Sequence, residues 1–355
     1  MLRPIIALLI AASAVWAQDA SLESLKGNGQ WKEVRSRVQG WYRTKPEDPY
    51  AVLWMSRVKQ AFGDPNGALD LARRAVALRP SDPDFQAQLG MAAGYAAGSA
   101  DGKMKQFSLA REMKKALESS LEAKLDNEEA AQYLLVFYLQ APGLIGGGEG
   151  KAKDLASKMT ALRPVEGLLM QSTIAFQTKK LEAAKGFIQQ ALAQDPKSYD
   201  AHMALTNYHL AQKPQALDAA VGALRQAIAA KPKGAQAHAL LASILAEQGK
   251  WAELDAAFAQ AQKAIPGNPL PYYSVGRNLI YENKFLDKAE GFLRTFLSQD
   301  PEGAGPDQAT AHWRLGQLFE KLGRRPEALK ELEMALKLRP EFPSAKKDWE
   351  RLSKG

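Results

Sequence analysis

Apolar residues along most of this chain recur three and four positions apart, in paired blocks separated by short polar turns. The block ending at Pro340 shows the pattern most fully. Leu315 and Phe319 lie four apart and share one face of a first helix, and Ala328, Leu332 and Ala335 make the apolar stripe of a second. Gly316 lets a neighbouring helix approach closely, and Gly323 suits the intervening turn because glycine accepts left-handed backbone angles. Pro340 cannot continue the second helix and restricts the residue before it. Each block therefore predicts an antiparallel helix pair.

Prolines mark the ends of successive blocks at Pro46, Pro80, Pro164, Pro196, Pro232, Pro266, Pro301 and Pro340, and the steps Pro46 to Pro80 and Pro232 to Pro266 are both 34 residues. In the clearest copies an alanine stands five residues before the proline and another seven before that: Ala68 and Ala75, Ala184 and Ala191, Ala220 and Ala227. Ser56 and Gly63, Leu241-Ala242, Gly249, Phe258 and Ala261, and Val275-Gly276 with Ala289 fill matching places. On these residues nearly the whole chain after its first 17 residues resembles the tetratricopeptide repeat family. The resemblance implies an all-α, right-handed solenoid of stacked antiparallel helix pairs, and a function carried by a surface.

Between Pro80 and Pro164 the period fails, because 84 residues replace the 68 that two regular repeats occupy. Leu89-Gly90 opens an ordinary first helix, which the small residues Gly94 to Gly102 are expected to interrupt. A long helix from about Met104 to Leu125 follows, then a helix from about Glu128 to Gln140, then Ala141-Pro142-Gly143-Leu144-Ile145-Gly146-Gly147-Gly148. That helix and turn resemble those of a subgroup of exported bacterial repeat proteins with an "APG…GG" turn. The irregular insert is taken as 94–150 within a repeat array of 47–340.

At the start, Arg3 precedes an apolar run from Ile5 to Val15, and Val15-Trp16-Ala17 puts small residues three and one before a cut ahead of Gln18. Residues 1–17 read as a secretory signal, which implies a bacterial periplasmic or secreted protein. An uncleaved anchor is the alternative, with an apolar core short of the about 20 residues a bilayer requires. Residues 18–46 read as a degenerate capping unit. Residues 341–355 read as a solvating cap helix with Ala345, Trp349 and Leu352 on one stripe.

Composition narrows the chemistry. The chain has no cysteine, hence no disulfide, no thiolate metal site and no lipid-modified cysteine. Its net charge of +8 is spread over most repeats with carboxylates interleaved, as solvated helix faces require. Two basic groupings stand out: Lys26, Lys32, Arg35, Arg37, Arg43 and Lys45, and Lys103, Lys105, Arg111, Lys114 and Lys115. Either fits weak, salt-dependent attraction to an acidic partner or an anionic envelope surface; no specific nucleic acid is expected.

Catalytic and ligand motifs are weak. Gly146 to Lys151 lacks the strand, the glycine five residues before a Gly-Lys pair and the following Ser or Thr of a phosphate loop, so it reads as a turn between helices. His202, His238 and His312 each stand three before Leu205, Leu241 or Leu315, one repeat or more apart, which predicts packing residues and no shared metal. His209 shares a face with His202 without a carboxylate beside them. No enzyme activity, cofactor or metal is expected.

In the resembling family the first helices line the inner face, and side chains two before and two after the repeat leucine point into it. Here these are Leu53 and Arg57, Met203 and Asn207, Ala239 and Ser243, Tyr273 and Arg277, and Trp313 and Gln317. Aromatic anchors among cations suit an extended peptide or helix. Arg57, Asn207, Tyr273, Arg277, Trp313 and Gln317 are the candidate partner-binding residues of a non-enzymatic scaffold. The lysine and asparagine clamp with which family members hold chaperone C-termini is missing. One alternative places function in Tyr95 to Gly150; another is an envelope glycan binder or enzyme accessory subunit using exposed Tyr and Trp.

Overall fold

The structure is a computed structural model that describes residues 19–354, all in helices and the turns between them, with no strand among the described residues. The expected signal, 1–17, lies outside them. The chain divides into two compact units at Ala204 and Leu205. The first holds α1 (19–27), α2 (Trp31–Thr44), α3 (Pro49–Ala61), α4 (Pro65–Leu78), α5 (Pro83–Ser99), α6 (Lys103–Ala123) and α7 (Glu128–Gln140). A 3-10 turn, Gly143–Ile145, precedes α8 (Glu149–Leu162), α9 (Pro164–Gln177) and α10 (Leu181–Gln194). The boundary cuts α11 (Tyr199–Ala211). The second unit continues with α12 (Leu217–Ala230), α13 (Ala235–Glu247), α14 (Trp251–Ala264), α15 (Leu270–Glu282) and α16 (Leu286–Leu297). It ends with α17 (Gln308–Lys321), α18 (Arg325–Leu338) and α19 (Pro343–Lys354).

Local sequence sets the helix starts. Asp48-Pro49, Asp64-Pro65 and Asp82-Pro83 place an aspartate at the N-cap and a proline in the first helical position. The carboxylates accept backbone N–H bonds that the first turn leaves unpaired, while proline has no N–H to waste there. Gly323 turns the chain between α17 and α18 with φ of 73°.

Helices pack in sequential pairs, α3 on α4, α5 on α6, α9 on α10, α15 on α16 and α17 on α18. Successive first helices also meet, α3, α5, α7 and α9 in one unit and α13, α15 and α17 in the other. Each unit is thus an α-solenoid stack. The alanine stripes face inward: Ala68 and Ala75, Ala184 and Ala191, and Ala328 and Ala335 are fully buried. Gly316 explains the close pairing of α17 with α18, since a Cβ there would come within 2.7 Å of Leu332. Gly90 does the same for Leu117 of α6.

These glycines locate the extra residues. Gly316 and Leu332 are 16 positions apart, whereas Gly90 and Leu117 are 27 apart. Eleven of the sixteen extra residues therefore lie in the α5–α6 hairpin, lengthening both arms. The remaining five are in the α7–α8 connection, eight residues long against three between α3 and α4. Contrary to the sequence expectation, Gly94 and Gly98 do not break α5, which runs on to Ser99. Gly94 stays helical because Met113 of α6 fills the space where its side chain would stand.

Candidate partner-binding face

The first-helix face of the first unit is occupied by its own charges. Arg57 of α3 is 8 % exposed, its guanidinium lies over Trp54 and its Nη1 donates to Glu23 of α1 at 2.6 Å. Lys26 bonds Glu23 at 2.9 Å and reaches Glu129 of α7 at 2.7 Å. Burial pushes the Glu23 carboxyl up, and the charges of Arg57 and Lys26 outweigh it, holding the group below its ordinary range. Arg57 is a pinned structural cation.

In the second unit the residues two before the repeat leucine are mostly packing residues. Ala239 is fully buried and Tyr273 nearly so, with its ring 5.3 Å from Phe296 of α16. Tyr273 offers no surface, which corrects the expectation that it anchors a partner. Trp313 is half-buried, edge-on to Phe342 at 5.3 Å, and its Nε1–H donates to Asp348 of α19 at 2.8 Å. Gln317 donates to the same carboxylate at 3.4 Å and accepts from Arg314 at 2.7 Å. Both residues are therefore engaged by the C-terminal helix.

Asn207 and Arg277 are exposed, and Arg277 makes no ion pair or hydrogen bond among the described residues. One turn further along α15 stands Tyr281, 81 % exposed. At i and i+4 the two side chains share a helix face. The same step from Gln317 leads to Lys321, exposed on α17, and from Ser243 to Glu247 of α13. Glu247 is buried and taken up by Asn278 and Lys284, both at 3.1 Å. Tyr281 and Lys321 lie beyond the positions two residues either side of the repeat leucine, on the continuation of the same stripe at helical spacing.

The histidines do more than pack. His202 and His238 donate Nε2–H to the carbonyls of Pro196 and Pro232, at 3.0 and 2.8 Å. A carbonyl only accepts, so the proton sits on Nε2. His312 follows a longer connection and bonds Glu331 of α18 at 2.6 Å instead. No three His, Cys, Asp or Glu side chains gather as a metal site among the described residues. Between α12 and α14 lies a cavity of ≈ 310 Å³ floored by Ile228, Leu241 and Leu245, with the Arg225–Glu253 pair at its rim.

Residues 215–269 and 276–345 match the model of the tetratricopeptide repeat. The human IFIT1 dimer with m7Gppp-AAAA is similar in structure, with 16% identity over 94% of this chain and 80% of that one and a TM-score of 0.52. A thermophilic TPR protein of Thermus thermophilus has 19% identity over 54% of this chain and 96% of its own, with a TM-score of 0.47. Yeast Tom70 has 14% identity over 94% and 88%, with a TM-score of 0.49. No curated protein matches in sequence. The tetratricopeptide repeat family is thereby supported over the matched residues, and the IFIT1 likeness shows the α-solenoid fold.

Proposed function

We propose that this tetratricopeptide-repeat solenoid is a non-enzymatic scaffold that holds a protein partner on the first-helix face of its second unit, with Arg277 and Tyr281 as the contact pair. The observation that carries this is the contrast between Arg57 and Arg277. Both stand two residues after the repeat leucine position, yet Arg57 is spent on Glu23 while Arg277 is exposed and uncommitted. An exposed guanidinium beside an exposed phenol ring suits a peptide or helical segment that brings a carboxylate and an apolar side chain. Lys321 on α17 adds a second cation for such a segment.

The setting proposed is the bacterial envelope, periplasmic or secreted, on the strength of the signal-like residues 1–17. Cleavage ahead of Gln18, read by N-terminal sequencing of the exported protein, tests it. For the surface, the protein is used to capture partners from an envelope extract, beside R277E/Y281A. Loss of a partner with helicity retained supports the proposal, whereas the same partners held by both proteins counts against it. Substituting Tyr273 and Trp313 makes a poorer test, because it disturbs the core and the seat of α19.

A further inference from the structure

We propose that the lengthened α5–α6 hairpin, with the Gly143–Ile145 turn that packs on α6, docks the protein on an anionic lipid bilayer. The eleven extra residues carry α5 and α6 past the length of the regular pairs, to 17 and 21 residues against 13 and 14 for α3 and α4. Residues 101–108 are all exposed as a result. Within them Met104 is 88 % exposed and Phe107 41 %. At i and i+3 these two exposed apolar side chains share a face of α6. The turn that packs on α6 adds Leu144, 85 % exposed, while its neighbour Ile145 goes into the core.

The cations around these side chains identify what covers them. Lys103, Lys105, Arg111 and Lys115 make no ion pair or hydrogen bond among the described residues. Of the carboxylates close by in sequence, Glu112 accepts from Nε and Nη2 of Arg73, at 2.8 and 2.7 Å, which leaves Asp101 as the carboxylate within residues 101–108. Single apolar side chains projecting among uncommitted ammonium groups match a membrane interface. The apolar groups enter the acyl boundary while the lysines remain at the phosphates. Here the apolar side chains are interrupted by charge, as a bilayer interface tolerates and the buried centre of a protein–protein interface does not favour.

The chain has no cysteine, so M104C labelled with an environment-sensitive fluorophore reports on that position alone. The label should shift to the blue with phosphatidylcholine vesicles containing about one-third phosphatidylglycerol, and the shift should fade at about 0.5 M salt. K103E/K105E in the same protein should weaken vesicle affinity by more than about tenfold. M334C, on α18, should show no shift with either vesicle. The proposal is overturned by an equal shift on pure phosphatidylcholine, or by no shift on either vesicle. A shift that needs no vesicle and grows with protein concentration also overturns it, by making a second copy the occupant. All substituted side chains here are on the surface, and retained far-ultraviolet helicity confirms folding.

Discussion

His238 donates its Nε2–H to the carbonyl oxygen of Pro232, six residues back, at 2.8 Å. The bond recurs at the same step in two other repeats, from His202 to Pro196 at 3.0 Å and from Gln86 to Pro80 at 2.7 Å. In these three repeats the proline that stops the second helix thus has its carbonyl satisfied by the opening turn of the next first helix. Nothing in the packing pattern alone distinguishes that role from a filler of space.

Replacing His238 with alanine leaves the Pro232 carbonyl unpaired beside a side chain that is 2 % exposed. H238A should lower stability by about 1–3 kcal/mol, and H238Q should recover most of the loss, since Gln86 does the same work in its own repeat. Denaturant unfolding decides it. Equal destabilisation by alanine and glutamine would mean that ring packing matters and the hydrogen bond does not.

Two helical glycines should respond oppositely to alanine. At Gly316 a Cβ meets Leu332, which is fully buried and has nowhere to retreat, so overpacking of about 1–3 kcal/mol should outweigh the gain in helix propensity. At Gly222 of α12 nothing lies within 4 Å, and G222A should stabilise by about 1 kcal/mol. Melting temperatures of the two variants against the parent test the pair, and a shift of the same sign in both defeats the explanation.

Arg57 and Arg277 should separate in the same way. R57A removes the partner of Glu23 and uncovers Trp54, and should cost about 1–2 kcal/mol, the ion pair being discounted for the partial exposure of Glu23. R277A removes an exposed side chain that has no partner among the described residues and should leave stability within about 0.5 kcal/mol of the parent. Chemical denaturation of both proteins supplies the comparison; a large loss in R277A means that the arginine is structural.

Acid should weaken the contact between α17 and α18. Burial pushes the Glu331 carboxyl up, but the bonds from His312 at 2.6 Å and Arg294 at 3.1 Å outweigh it and hold the group below its ordinary 4.5. A carboxyl depressed in the folded state lends stability that is fully present above its unfolded value and lost as pH falls through its folded one. The stability difference between the parent and E331Q should therefore be widest near about pH 7 and shrink below about pH 4.5. A difference that stays constant across that range excludes this ionisation as its source.

The sequence by itself determined the helix pairs, their turns and the packing stripes. Each rests on short-range rules: a 3.6-residue period, an aspartate and proline at a helix start, a proline at its end. The period also located the sixteen extra residues between Pro80 and Pro164. Only the tertiary structure decided which side chains remain at the surface. Tyr273 and Arg277 lie one turn apart and read alike as inner-face residues, yet the approach of Phe296 buries the first and leaves the second open. Arg57 and Arg277 hold equivalent repeat positions, and their difference is the carboxylate of Glu23, 34 residues before Arg57, brought alongside it by packing. The glycines from Gly94 onward predict a break that Met113 removes by filling the space beside α5. Such outcomes depend on what a neighbouring helix supplies, which a local pattern does not encode.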